Sequence, residues 1–406
     1  MIRSDNIKKG MIGMDSFCVV YAEKSGGFLK RCAEKLCRAA SELRGLEMKA
    51  VSDTEPYADN EILIGNTNRA ETRSFSSGVT LGPLEYRIGM ENGKYVIIGD
   101  GLMAVSYGVD RFISEFLSED AKALDGRVIA ESRFDGCVER SEGTDLRIIT
   151  ANLMFEKWAR LAYGEEGFMP NYVRAEAFRI LLDAYKPDVL GLQECSPDWH
   201  AILAETVESK DWGLVAPGKV DDSNGETILC YNKNTVTFVN GGHISYPEFA
   251  QTSRICSGLF QLKDGTGRKF LFYTTHWSWN RPEIADMEMR FYADTVNKMR
   301  AENGGIPAFC TADFNTGYRS ERYLAFAERG GLVDTFDIAK EKGVTVNELF
   351  AFGRPGDDSR GNVSYEEGVD HIFGTKGIDV YRHETILRNR MVDMSDHTPR
   401  CADVSW

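Results

Sequence analysis

Thr311-Ala312-Asp313-Phe314-Asn315-Thr316 closes the apolar run from Ile306 to Cys310, and its reading decides the fold. An apolar run followed by Asp-x-Asn and Gly317 predicts a buried strand that ends in a turn. Side chains alternate along a strand, so Asp313 and Asn315 share one side and Phe314 takes the other. A carboxylate beside an amide at a strand end offers one ligand both an acceptor and a donor. Alone, Asp-x-Asn is more often a turn cap, because both residues favour turns. Here it has company. Asn152, Glu194, His276, Asp370 and the triplet Ser395-Asp396-His397 each stand at or just past the end of a similar run.

Working outward, Leu146 to Ala151, Val189 to Leu192, Thr227 to Tyr231, Val236 to Val239, Ile255 to Leu262, Phe270 to Thr275, Val369 to Phe373 and Val380 to Leu387 read as strands. Tyr172 to Tyr185, Trp199 to Val207, Glu283 to Met299 and Glu321 to Glu328 read as helices. Mixed in this way, they predict two packed sheets covered by helices. Residues 131–144 are polar and aperiodic and read as a linker. It separates a domain at 145–406 from a smaller α/β domain at 1–130. In the smaller domain Phe17 to Tyr21 is a strand, Gly27 to Leu43 a helix and Glu61 to Gly65 a strand. A hairpin turning at Asn92-Gly93 and a helix from Met103 to Phe116 follow.

A chain of 406 residues is comfortable for two domains. No run reaches the roughly 18 to 20 apolar residues that span a bilayer. Met1 to Gly13 has no apolar segment of the signal-peptide kind. The nine cysteines form no CxxC pair, and Cys230, Cys256 and Cys310 lie inside apolar runs as small hydrophobes. A reducing, cytoplasmic location is the simpler expectation, with a removed secretion signal as the alternative. The net charge is −14, of which residues 1–143 carry −4 and the remainder −10. Without any Lys/Arg-rich run, grip on a long polyanion by phosphate neutralisation is disfavoured. Arg254, Arg281 and Arg290 are the candidates for a local basic rim.

Thr150-Ala-Asn152, Leu192-Gln-Glu194, Thr274-Thr-His276, Ala312-Asp-Phe-Asn315, Val369-Asp-His371 and Ser395-Asp-His397 occur in the order found in the endonuclease/exonuclease/phosphatase superfamily. From Asp145 to Trp406 the chain resembles that family. The resemblance implies an α/β fold, a four-layer α/β/β/α (DNase I-like) sandwich, and metal-dependent phosphoesterase chemistry. Such hydrolysis needs an activated water, charge relief on the phosphoryl oxygens and help for the leaving oxygen. Glu194 is a hard oxygen ligand suited to Mg2+, with Mn2+ or Ca2+ as substitutes, and Asn152 and Asp396 are its expected neighbours. Asp313 orients or deprotonates the attacking water, while Asn315 and Asn152 donate to phosphoryl oxygens. The resemblance makes Asp370 the partner of His397, and Glu226 the support of His276 near the leaving group. His371 should face away from Asp370 as a structural residue. Trp277 reads as core. Trp279, two residues on, is a candidate to stack on a substrate ring.

Glu61 to Arg69 and Gly101 to Val109 resemble the small α/β domain that precedes the barrel in several glycoside hydrolases. That resemblance implies a structural add-on first and a carbohydrate contact second. The run Ile149-Thr-Ala-Asn-Leu-Met154 differs from the Trp-Asn-Val-Asn opening of apurinic-site repair enzymes, which argues against DNA repair. The leading expectation is a hydrolase of a small or short phosphorylated substrate, mono- or diester. A nuclease and a binding protein with a vestigial site are the alternatives.

Overall fold

A computed structural model describes residues 17–117, 127–205, 211–215, 226–247, 254–343, 346–347, 363–364, 368–387 and 394–406. Met1 to Gly13, Val207 and Gly225 lie outside the described residues. The chain divides into two compact units, 1–135 and 136–406.

In the first unit β1 (Cys18–Tyr21), α1 (Gly27–Arg44), β2 (Lys49–Ser52), β3 (Glu61–Ile64) and α2 (Ala70–Ser76) are followed by β4 (Glu85–Glu91), β5 (Lys94–Gly99), α3 (Leu102–Phe112) and β6 (Ile129–Ser132). The sheet order is β2-β1-β3-β5-β4-β6. The hairpin β4–β5 turns at Asn92 (φ 49°) and Gly93 (φ 81°), the two left-handed positions that a tight hairpin of this twist requires. Helix α1 buries Leu29, Cys32, Ala33, Leu36 and Ala40, the stripe expected from helical spacing. Under the sheet end, the fully buried Glu61 accepts from Arg69 and from Lys94 Nζ at 2.7 Å, so its charge is paired.

Residues 131–144 are not a free connector. Glu131 and Ser132 pair with β4, while Val138 N donates to Ala184 O and Arg140 bonds Asp188 in the second unit. Polar residues mark this segment as exposed, but its backbone donors still find partners. The boundary falls between Asp135 and Gly136.

The second unit runs β7 (Leu146–Asn152), α4 (Glu156–Gly167), α5 (Asn171–Tyr185), β8 (Val189–Gln193), α6 (Pro197–Leu203), β9 (Trp212–Val215), β10 (Ile228–Asn232), β11 (Val236–Ser245), β12 (Arg254–Leu262) and β13 (Lys269–His276). It continues through α7 (Pro282–Glu302), β14 (Ala308–Asp313), α8 (Glu321–Gly330), β15 (Leu332–Asp334), α9 (Thr335–Ile338), β16 (Glu341–Lys342), β17 (Val346–Asn347), β18 (Val363–Ser364), β19 (Asp370–Thr375), β20 (Asp379–Thr385) and β21 (Arg400–Ser405). One sheet has the order β16-β20-β21-β7-β8-β10-β9, the other β11-β12-β13-β14-β19-β15. Leu146, Ile148, Val189 and Leu229 of the first pack against Cys256, Phe260, Phe270, Phe272 and Phe309 of the second. The outer face of the second sheet packs Leu271, Tyr273 and Cys310 against Met289 and Tyr292 of α7 and Phe326 of α8. Helix α5 lies on the other sheet, where Tyr185 Oη donates to Glu384 of β20 at 2.6 Å. The result is the four-layer α/β/β/α sandwich.

Helix α4 falls in a stretch, Phe155 to Pro170, for which the sequence predicts no helix. Its glycines and aromatics hide the helical period. Helix α6 begins two residues before the expected start, because the Ser196 hydroxyl accepts from Trp199 N and caps it. Among the described residues no helix is long and apolar enough to cross a membrane.

Candidate active site

Strand register assembles the site. β13 and β14 run parallel with His276 beside Asp313, and β19 runs antiparallel with Asp370 beside Asp313. Three adjacent strands thus deliver His276, Asp313 and Asp370 in one row at one sheet end. In the facing sheet β7 ends on Asn152, and β8 ends on Gln193 with Glu194 next.

The sheets converge beneath this row. A Cβ at Gly191 would lie 1.9 Å from Thr311 Oγ1 and 2.8 Å from the Thr274 Cβ, so only glycine permits the approach. Gln193 Nε2 crosses the same gap to Thr274 Oγ1 at 2.7 Å and also donates to Thr150 Oγ1 at 3.1 Å.

Each imidazole is pinned by its own acid. His397 Nδ1 donates to Asp370 Oδ2 at 2.8 Å, and His276 Nδ1 donates to Glu226 Oε1 at 2.5 Å. With Nδ1 engaged, both rings turn Nε2 toward Asp313 Oδ2, at 3.4 Å for His276 and 3.8 Å for His397. Asn152 Nδ2 is shared between Glu194 Oε1 (2.9 Å) and Asp313 Oδ2 (3.0 Å). Glu194 Oε2 accepts from Phe155 N at 2.9 Å, and Asp313 Oδ1 from Asn315 N at 2.9 Å. Glu194 (φ 55°), Asn315 (φ 44°) and Met154 (φ 53°) all sit in the left-handed region. Strain of this kind costs on the order of 1–3 kcal/mol per residue and collects at functional sites.

The electrostatics follow from burial and neighbours. Burial raises the pKa of Asp313 and of Glu194, and His276 and His397 only partly offset it. Burial opposes the charge on His276, yet Glu226 and Asp313 outweigh it and raise this ring to about 10. His397 is held well above the usual histidine range, because Asp370 outweighs the same burial penalty. Asp370 in turn is lowered: burial works against its charge, and His397 wins.

Two groups of side chains are close enough to hold a metal: Glu194, His276 and Asp313, and Asp313, Asp370 and His397, with ligand atoms within 4.8 Å of one another in each. Four carboxylates, counting Glu226, meet two imidazoles. With both rings protonated, two negative charges remain, the deficit that a divalent cation fills. The residues present therefore fit a hard divalent ion held by Glu194 with Asp313 beside it.

Two expected ligands are placed differently. Asn152 presents its N–H, not its oxygen, to the carboxylates, because its Oδ1 accepts from Met154 N at 2.9 Å. It is a donor that positions Glu194 and Asp313. Asp396 belongs to neither group, and its Oδ1 accepts from the Ser395 hydroxyl at 3.3 Å. Asn315 Nδ2 donates to Trp277 O at 2.8 Å. Trp277 is buried edge-on against Phe314, and Trp279 is 76% exposed. His371 turns away from the site to Asp334 Oδ2 at 3.3 Å.

Sequence reasoning missed Arg174. It is fully buried and donates to Leu153 O (2.5 Å), Met154 O (2.8 Å) and Met394 O (3.1 Å). It thereby ties the loop after Asn152 to the loop before His397. An arginine on an apolar helix face was the available signal.

Residues 149–397 match the model of the Endonuclease/Exonuclease/phosphatase family. The chain belongs to that family. Its members are phosphoesterases, and the strand-end constellation is the part of the chain that the match spans. None of the curated proteins matches the sequence. Among solved structures, a mannosyl-6-phosphatase of Bacteroides thetaiotaomicron is similar at 19% identity and TM-score 0.51, covering 64% of this chain and all of that one. An endonuclease/exonuclease/phosphatase from Bacteroides vulgatus is similar at 19% identity and TM-score 0.51, covering 64% of this chain and 98% of that one. A functionally unknown conserved protein from Enterococcus faecalis is similar at 18% identity and TM-score 0.51, covering 64% and 99%. At these identities the likeness shows the fold.

Proposed function

We propose that the protein is a magnesium-dependent phosphoesterase acting on a small or short phosphorylated substrate through attack of water. The observation that carries this reading is the convergence of His276 Nε2 and His397 Nε2 on the Asp313 carboxylate, each ring fixed by its own acid. Asp313 accepts a proton from the attacking water and aims it. His397, kept protonated by Asp370, donates to a phosphoryl oxygen and relieves charge as it builds. His276, kept protonated by Glu226, serves the leaving oxygen. Asn152 fixes Glu194 relative to Asp313, and the side-chain amide of Asn315 meets a phosphoryl oxygen. Bound at Glu194, magnesium supplies charge neutralisation for the phosphoryl group.

The substrate side rests on charge. Residues 144–406 carry −10, so a long polyanion meets net repulsion at a distance, whereas one phosphate is held locally. Trp279 offers a face to a substrate ring, and carbohydrate-linked phosphates are the class to try first. The test is a panel of sugar phosphates, nucleotides, inositol phosphates, phospholipid headgroups and supercoiled plasmid, each assayed with magnesium and with EDTA. Magnesium-dependent turnover of a small phosphate supports the reading. Efficient plasmid nicking at physiological salt that falls steeply as salt rises replaces it with a nuclease.

A further inference from the structure

The sheet that carries His276 continues one strand outward to β12, whose first residue is Arg254. β12 and β13 are antiparallel with Cys256 opposite Thr274, and the Thr275 hydroxyl donates to Arg254 O at 3.1 Å. Continued by two residues, this register sets Arg254 opposite His276. Residues directly opposite in an antiparallel pair share a face, with Cβ atoms about 4.5–5.5 Å apart. That face looks toward the other sheet, since Cys256, Phe260, Phe270 and Phe272, of the same parity, form the core between the sheets. Arg254 therefore leaves its strand on the same face and at the same end as His276, Asp313 and Asp370.

Arg254 is half-buried, and among the described residues its guanidinium makes no hydrogen bond or ion pair. The other arginines of the expected rim, Arg281 and Arg290, are exposed. His243 Nε2 donates to Thr227 O at 2.6 Å, and burial first, with Arg254 adding to it, depresses the pKa of this ring, which therefore stays uncharged beside Arg254. Thr227, which also donates its hydroxyl to Arg254 O at 3.1 Å, directly follows Glu226 in sequence. The single cation of Arg254 thus adjoins the Glu226–His276 side of an otherwise acidic centre.

We propose that Arg254 holds a second anionic group of the substrate, so that the favoured substrate is a small phosphate ester bearing a second phosphate on its leaving-group side. This rests on the phosphoesterase reading of the same site. A half-buried guanidinium with no counter-ion among the described residues matches phosphate geometry in two parallel hydrogen bonds, and solvent screens it less than a surface charge. Position, not total charge, makes the selection, because one cation adjoining the centre attracts a compact bis-anion while the remaining charge repels a long one.

The test separates binding from turnover. Asp313→Asn protein is titrated calorimetrically, with magnesium present, with glucose 1-phosphate and with glucose 1,6-bisphosphate. The bisphosphate is expected to bind about ten- to a hundredfold more tightly, the range of a charge-assisted hydrogen bond. Adding Arg254→Gln should bring the ratio to within about threefold of one, and Arg254→Lys should leave it intermediate, since lysine keeps the charge without the fork. An equal ratio with and without Arg254, a ratio near one in the parent, or no binding of the bisphosphate overturns the inference. Turnover by the wild-type enzyme is read separately. Failure to hydrolyse any phosphate ester removes the phosphoesterase reading, and the binding ratio still decides the role of Arg254.

Discussion

Gly191 of β8 and Thr311 of β14 face each other across the two sheets at a separation that leaves no room for a methyl group, 1.9 Å from an added Cβ to Thr311 Oγ1. The contact lies two residues before Asp313 and three before Glu194, so it sets how closely those carboxylates approach. Gly191→Ala should destabilise the second unit by about 1–3 kcal/mol, the usual cost of overpacking. It should also lower kcat by separating Glu194 from Asp313. Chemical denaturation and kinetics check this, and a variant with unchanged stability would show that the sheets yield freely there.

Burial raises the pKa of Glu194 against the pull of His276 and Asn152, so removing its carboxylate relieves a desolvation cost while it destroys the proposed ligand. Glu194→Ala should abolish metal-dependent turnover. In EDTA its melting temperature should equal or exceed that of the wild type. Adding magnesium should raise the wild-type melting temperature and leave the variant's unchanged, since only a protein that binds the ion gains by mass action. Equal magnesium affinity of the two proteins by calorimetry would exclude Glu194 from the ligand set.

Asp370 keeps His397 charged and aims its Nε2 at Asp313 Oδ2. Asp370→Asn preserves the shape and removes the charge. The single-turnover rate should fall by roughly 10² to 10⁴, the range for acid–base groups. A loss below about fivefold would mean that another group supports the imidazole.

The pH dependence of stability has a separate source in the buried pair Arg147–Asp403, joined at 2.6 Å and 2.8 Å. Burial opposes the Asp403 charge, but Arg147 outweighs it and holds this carboxyl below the usual aspartate range. A lowered folded pKa contributes stability that is complete above the unfolded value of about 3.9 and is lost as pH falls through the folded value. Asp403→Asn leaves Arg147 buried without its partner and should cost about 3–5 kcal/mol at pH 7. The gap between wild type and variant should narrow below about pH 4. Urea titrations at pH 7 and pH 3.5 measure it, and a gap independent of pH would contradict the pairing.

The sequence by itself determined the strands, the helices with a clear period and the six strand-end motifs. Alternation and helical spacing are local, and they place Asp313, His276 and Glu194 at strand ends without knowledge of the fold. Spacing also told that His371 turns away from Asp370. What only the tertiary structure decided is which of these ends meet. Asn152 could be read as a ligand until Met154 N claimed its oxygen, which fixes the amide as a donor. Asp396 stands next to His397 in sequence but outside both metal-capable groups. Arg174 and Gly191 gave no motif signal, and Gln193 stood inside a motif without a role of its own, since their partners lie on other strands and loops. Close packing of two sheets, not any local preference, gives those three their roles.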